Sequence, residues 1–316
     1  MAKRKKLKKS VKIILALTTI LVVAGIVSFK VYQEYKYRQT YEYKLLQINY
    51  SLDETKTLTL KLSNAQLDEI LVKEQNSNIV NFIKEKYFIY GNLERYLAYL
   101  DKNKNLGLSD IVALVNVKRD REFYEAPEEA DINQGNLMIV NKYHNLTEEY
   151  IGPNLVKTSA SYSYANNSLN EEAYTAFKEL ADEAKLAGYT IVIVSSYRDF
   201  KYQQEMWDDY KASFGTKKAD AYVARAGHSE HQTGYAVDVG DFYDTNDKFG
   251  DTEAFTWMMT NCQKYGFILR YPEDKENITG YAYEPWHYRY VGKEMARKIS
   301  AENITFDEYY EFYLAN

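Results

Sequence analysis

The 316-residue sequence holds a single cysteine, Cys262, so no intramolecular disulfide braces the fold and the body must be stabilised by its own core. Cys262 lies in a helix-like stretch with apolar neighbours and reads as a small buried side chain rather than a nucleophile. No lipobox cysteine is present, which excludes lipid anchoring by that route. Proline is scarce, at four residues, and histidine equally so. There is no internal repeat and no low-complexity tract, so a solenoid is excluded. Hydrophobic content of 46% with 27% charge is that of a folded globular chain rather than a disordered one.

Acidic residues are missing altogether from positions 1–30, where Lys3, Arg4, Lys5, Lys6, Lys8, Lys9, Lys12 and Lys30 stand. The formal charge of −5 therefore hides a split: the remaining chain has 32 of the 40 basic residues against all 45 acidic ones, a net of −13. An acidic body argues against a nucleic-acid partner, which requires a basic face. The basic tail runs instead into Ile13–Phe29, an uncharged stretch just long enough to span a bilayer. The positive-inside rule places the tail in the cytoplasm and the body outside. A cleaved signal peptide has a similar basic start, but no clear A-x-A site stands here and the apolar run continues to Phe29. The expectation is an uncleaved signal anchor over residues 1–30, a single-pass membrane protein with its catalytic domain extracellular.

Residues 31–120 are expected to form a juxtamembrane stalk (31–60) and a small helical module. Ser63 caps a helix through Leu67, Ile70 and Leu71. Leu93, Tyr96 and Leu97 have helical spacing, as do Ile111, Leu114 and Val115 after Ser109. Residues 121–135 are charged, aperiodic and Pro-containing, and read as a linker. A last domain, 136–316, opens with a strand-like run, Leu137–Val140. Asn170 with Glu171 and Glu172 starts a helix whose apolar face is Ala173, Phe177, Leu180, Ala181 and Ala184, stopped at Gly188. Tyr189–Ser195, Gly234–Val239 and Trp286–Val291 read as strands. Further helices are expected over Phe200–Phe214, from Thr252 to Gly266, and from Thr305. The absence of a βαβ rhythm predicts an α+β fold with a small, mainly antiparallel sheet flanked by helices.

Three of the four histidines fall in two short strings. One runs from Gly227 to Asp238 and carries His228, His231 and Asp238; the other is Glu284-Pro285-Trp286-His287-Tyr288-Arg289. A strand after Gly234 returns Asp238 alongside the loop carrying His231, and a second strand can supply His287. Two imidazoles and a carboxylate with one open position make up a catalytic zinc site. Singly, each residue has a plainer reading: a satisfied polar histidine, or an aspartate at a turn. Spacing alone leaves both open. Glu284, three residues before His287, tips the balance, because it can take a proton from an attacking water without itself being a ligand.

The strings Ser229-x-His231-x-x-Gly234-x-Ala236-x-Asp238 and Glu284-Pro285-Trp286-His287, with Ser196-Tyr197-Arg198-x-x-x-x-Gln203 before them, resemble those of the VanY-type D-alanyl-D-alanine carboxypeptidases, in that family's order, over roughly the last 180 residues. The resemblance implies a D-Ala-D-Ala metallopeptidase-like fold and a Zn²⁺ cofactor held by His231, Asp238 and His287. It also implies Glu284 as general base, Arg198 facing the scissile carbonyl, and Gln203 and Ser229 as substrate-binding residues. His228 has no ligand counterpart and reads as a loop residue at the pocket rim. Tyr235 stands where an aliphatic residue is commoner. Trp286 and Tyr288 read as packing residues beside His287. The implied function is removal of the C-terminal D-alanine from peptidoglycan stem peptides by a D,D-carboxypeptidase. The alternatives are an L,D-carboxypeptidase acting on tetrapeptide stems, or a non-catalytic wall-binding or signalling protein of the same fold.

Overall fold

A computed structural model describes residues 8–164, 167–241 and 246–315. The basic residues Lys3, Arg4, Lys5 and Lys6 lie outside the described residues. The chain divides into two compact units, 1–93 and 94–316.

The first unit begins with α1 (Lys9–Arg38), whose apolar residues are all exposed and whose most apolar window has a mean hydropathy of 2.4. At 1.5 Å per residue its 30 residues extend about 45 Å, so it is long and apolar enough to cross a membrane. Residues 31–60, expected as a juxtamembrane stalk, are mostly helical. The end of α1 is followed by α2 (Tyr41–Gln47) and α3 (Leu52–Lys61), and Leu45, Tyr50 and Leu58 are buried. Ser51 and Glu54 form a capping box at α3, and Ser63 and Gln66 another at α4 (Asn64–Leu71). Helix α5 (Ser77–Lys84) buries Ile79, Val80, Phe82 and Ile83.

The second unit starts with α6 (Leu93–Lys102) and α7 (Leu108–Asn116). The 121–135 segment lies inside this unit. Arg119 stacks over the Phe123 ring and Arg225 over the Tyr124 ring, which binds the segment to the body. Strands β1 (Glu128–Glu129) and β2 (His144–Asn145) pair in parallel, and β3 (Leu155–Lys157) and β4 (Ser168–Asn170) antiparallel. Leu137–Val140 is not a strand. It alternates, with Ile139 packed in one cluster and Met138 and Val140 in another. Among the described residues no strand pairs with it; the Arg289 guanidinium donates instead to Met138 O, and to Asn136 O just before the run.

Helix α8 (Glu171–Leu186) is capped by Asn170, whose side chain accepts from the Glu172 and Ala173 amides, and it buries the five predicted residues. Gly188, at φ 94°, supplies the left-handed residue that ends it. The central sheet is wholly antiparallel, in the order β5 (Val192–Ser195), β6 (Ala236–Gly240), β8 (His287–Tyr290), β7 (Phe267–Leu269). Between them come α9 (Phe200–Phe214), α10 (Thr216–Tyr222), α11 (Glu253–Asn261) and α12 (Glu276–Thr279). Helices α13 (Lys293–Glu302) and α14 (Phe306–Tyr313) close the chain. This is the α+β arrangement expected. Its core lies between α8 and one sheet face, where Ala173, Phe177 and Leu180 meet Ile193, Val237, Val239, Tyr288 and Tyr290. Cys262 is buried in that core, which pushes its thiol up to about 12, in keeping with a structural role.

Candidate metal centre

Side chains alternate along a strand, so β6 and β8 each present two faces. Val237, Val239, Tyr288 and Tyr290 take the α8 side. Asp238 and His287 therefore take the other, and the register sets them directly opposite each other. His231 arrives from a 3₁₀ turn, Glu230–Thr233, that ends at Gly234. Gly234 has φ 77°, and a Cβ there would sit 2.8 Å from Leu155 Cδ2, so only glycine makes this reversal without strain.

Three donor atoms converge. His231 Nε2 lies 3.3 Å from Asp238 Oδ1, and His287 Nδ1 lies 3.0 Å from the same oxygen. One donor atom from each residue lies within 4.8 Å of those of the other two, and all three residues are buried. The His231 Nδ1 approaches Ser196 O at 2.6 Å, so its N–H donates there and Nε2 is left as a free lone pair. Burial, with Arg198 nearby, pushes the His231 imidazole down to about 4 against the pull of Asp238. Burial alone would raise the Asp238 carboxyl, but His231 and Arg198 outweigh it and hold it well below the usual carboxylate range. A neutral imidazole beside an ionised carboxylate is the pair of states that binds metal. His287 goes the other way: burial opposes its charge, but Asp238 and Glu230 on either side of the ring raise it to about 9.

This donor set fits zinc. A tetrahedral site with bonds of about 2.0–2.1 Å has donor–donor edges of about 3.3–3.4 Å. The 3.0 and 3.3 Å separations match that edge, and nitrogen and carboxylate oxygen are zinc's usual ligands.

The donors sit in the wall of a cavity of about 180 Å³ that Arg198, Gln203, Ser229 and Glu284 also line. All seven predicted site residues are thus brought together. Glu284 Oε2 lies 3.9 Å from His287 Nδ1. Burial pushes the Glu284 carboxyl up to about 8, with His287 pulling down and Asp238 pushing up. Arg198 is held on three sides: Nη2 donates to Asp238 Oδ2 at 2.5 Å, Nε to Ser195 Oγ at 3.1 Å and Nη1 to Gln203 Oε1 at 3.4 Å. Gln203 in turn donates to Ala224 O.

Trp286 is half-buried and lines the cavity, and Tyr288 is fully buried in the core as expected. One expectation changes. His228 is not at the rim: it is buried, with Nδ1 2.7 Å from Asn141 O and its ring edge-on to Tyr124. Sequence reasoning also passed over Tyr271, which packs against the His287 ring and lines the cavity, and over a buried charge cluster behind the site. There Glu230 pairs with Arg270 and Arg289, and Arg270 with Asp307. Its members are distant in sequence, and only the positions of Glu230 beside His231 and Arg289 two after His287 hinted at it.

A small antiparallel sheet with helices on one face, carrying a two-histidine, one-carboxylate centre and a neighbouring glutamate in a cleft, defines a metallopeptidase. The family model for VanY, D-alanyl-D-alanine carboxypeptidase, matches residues 166–293. The chain is 40% identical over 182 residues to YodJ of Bacillus subtilis (strain 168), covering 55% of this chain and 67% of that one. It is 37% identical over 181 residues to VanXYC of Enterococcus gallinarum, a bifunctional D-Ala-D-Ala dipeptidase and D-Ala-D-Ala carboxypeptidase, covering 56% of this chain and 94% of that one. The solved structure of the LdcB LD-carboxypeptidase superposes with a TM-score of 0.55 at 38% identity, over 59% of this chain and 90% of that chain. The chain belongs to the VanY-type D-alanyl-D-alanine carboxypeptidase family.

Proposed function

We propose that the chain is a zinc-dependent peptidoglycan carboxypeptidase that removes the C-terminal D-alanine from stem peptides, acting on the D,D bond of pentapeptides. The observation that carries this reading is the convergence of three buried donors in a cleft that Glu284 also lines. His231 through Nε2, Asp238 through Oδ1 and His287 through Nδ1 would hold the ion. Bound there, zinc supplies a Lewis acid for the scissile carbonyl and makes water acidic enough to attack near neutrality.

The protein's own groups do the rest. In its ionised form Glu284 takes one proton from the attacking water as the C–O bond forms, and returns it to the departing D-alanine amine as the C–N bond breaks. Arg198, fixed by Asp238, Ser195 and Gln203, presents its guanidinium where the carbonyl oxygen gains charge. Ser229 and Gln203 offer hydrogen bonds to the bound peptide. The half-buried Trp286 and buried Tyr271 give the cleft apolar walls for the alanyl methyl groups.

Helix α1 with basic residues before it supports a single-pass anchor, tail inside and catalytic unit outside, where the wall substrate lies. The likeness to LdcB supports a second reading, cleavage of the L,D bond of tetrapeptides. The test is to incubate the full chain in detergent, with zinc, with defined penta- and tetrapeptide stems and weigh the products. Loss of one alanine from the pentapeptide alone is expected. Loss from the tetrapeptide alone assigns the L,D bond. Loss from neither overturns both readings.

A further inference from the structure

The His287 ring lies between two carboxylates. Asp238 Oδ1 is 3.0 Å from Nδ1, and Glu230 Oε2 is 3.7 Å from Nε2. Glu230 is only 1% exposed, and neither its Oε2 nor His287 Nε2 has a hydrogen-bond partner. Its other oxygen is engaged: Arg270 Nε donates to Oε1 at 2.7 Å, and Arg289 Nη1 pairs with it by charge at 3.1 Å, without a hydrogen bond. Both guanidiniums therefore grip one oxygen and turn the other toward the imidazole. Arg270 is anchored by Asp307 of α14, and Arg289 by the carbonyls of Asn136 and Met138.

A neutral imidazole carries one N–H. If it sits on Nδ1, that nitrogen has no lone pair for a metal. An ionised carboxylate is acceptor-only. Asp238, 3.0 Å from Nδ1, would by itself draw the proton there, but as a ligand it gives that oxygen to the ion. Glu230 is then the carboxylate left to hold the ring's one proton, on Nε2. We propose that Glu230 is the positioning residue of the metal centre: its carboxylate, facing Nε2 of His287 across 3.7 Å, keeps the ring proton on Nε2 and so presents Nδ1, unprotonated, to the ion. This rests on His287 being a ligand. His231 solves the same problem with a neutral partner, the Ser196 carbonyl. His287 has an anionic one, which makes it the more strongly donating of the two imidazoles.

Glu230→Gln is a sharp test, because Arg270 and Arg289 force the amide oxygen toward themselves and turn the NH₂ toward His287. A donor facing Nε2 favours the Nδ1–H form, which cannot bind. The full chain in detergent would be titrated with zinc against a chelating dye, with circular dichroism and a thermal melt to verify folding. We expect zinc to bind about 10- to 100-fold more weakly in the folded variant. A folded variant with wild-type affinity overturns the proposal. A measurement on the wild type needs no variant: in zinc-loaded protein labelled with ¹⁵N-histidine, His287 should carry its proton on Nε2. A proton on Nδ1 overturns the proposal even if Glu230→Gln fails to fold. His287→Ala separates this failure from that of the site itself, since undiminished zinc affinity there removes His287 as a ligand and the inference with it.

Discussion

Arg198 is read from the sequence as a partner of the scissile carbonyl, and its surroundings explain how it keeps to one pose. An arginine tail is long and flexible, yet here its three nitrogens reach three different side chains. A donor fixed before the reaction stabilises developing charge without reorganising. Arg198→Ala should lower kcat on the order of 10²- to 10³-fold with little change in zinc content, checked by steady-state kinetics beside metal analysis. A tenfold loss or less would assign Arg198 a structural role. At this scale the sequence was most informative, because the reacting groups are scarce types in short strings. With four histidines in the chain, two with nearby carboxylates stood out. Glu230 was not legible, since a glutamate beside a histidine is usually solvated and its worth here depends on Arg270, 40 residues away.

Elements were legible where a local signal sets them. Asn170 and Thr305 cap helices as predicted, and the alternation of Gly234–Val239 and Trp286–Val291 marks strands within two residues of β6 and β8. Elements set by tertiary partners were missed. The three residues of β7 are too short for a pattern, and Leu137–Val140 has a strand's alternation without a sheet to join. One buried cation ties two helix ends beside the cleft: Lys142 Nζ donates to Asp220 O in α10 and to Gly280 O after α12. The rings of Phe123 and Tyr281 flank it. Burial, with Arg119 and Arg225 adding repulsion against the pull of Asp220, pushes Lys142 down to about 8. Between that value and the usual one of about 10.4, the unfolded chain holds the proton and the folded chain releases it. Stability therefore rises with pH through this window, by at most about 3 kcal/mol from this residue. Lys142→Met should flatten the rise. Urea unfolding at pH 8 and pH 10, followed by tryptophan fluorescence, checks it, since Trp207, Trp257 and Trp286 all lie in the second unit. An unchanged slope would mean that Lys142 titrates normally.

For the whole molecule, the division of labour follows from composition. The acidic, almost cysteine-free body folds on its own core, with α8 on one face of the central sheet and the metal centre on the other. Packing and chemistry thus use opposite faces of the same two strands, β6 and β8, so that a rigid core positions the donors. The first unit adds a helix able to cross a membrane and short capped helices, with no chemistry apparent in its sequence. Everything proposed for the second unit depends on one ion. The most direct measurement is zinc bound per chain, by elemental mass spectrometry, in the purified full chain and in Asp238→Ala. One zinc per chain in the first and essentially none in the second is the expected result. Absence of zinc from a zinc-supplied wild type, or an undiminished equivalent in Asp238→Ala, would contradict the account.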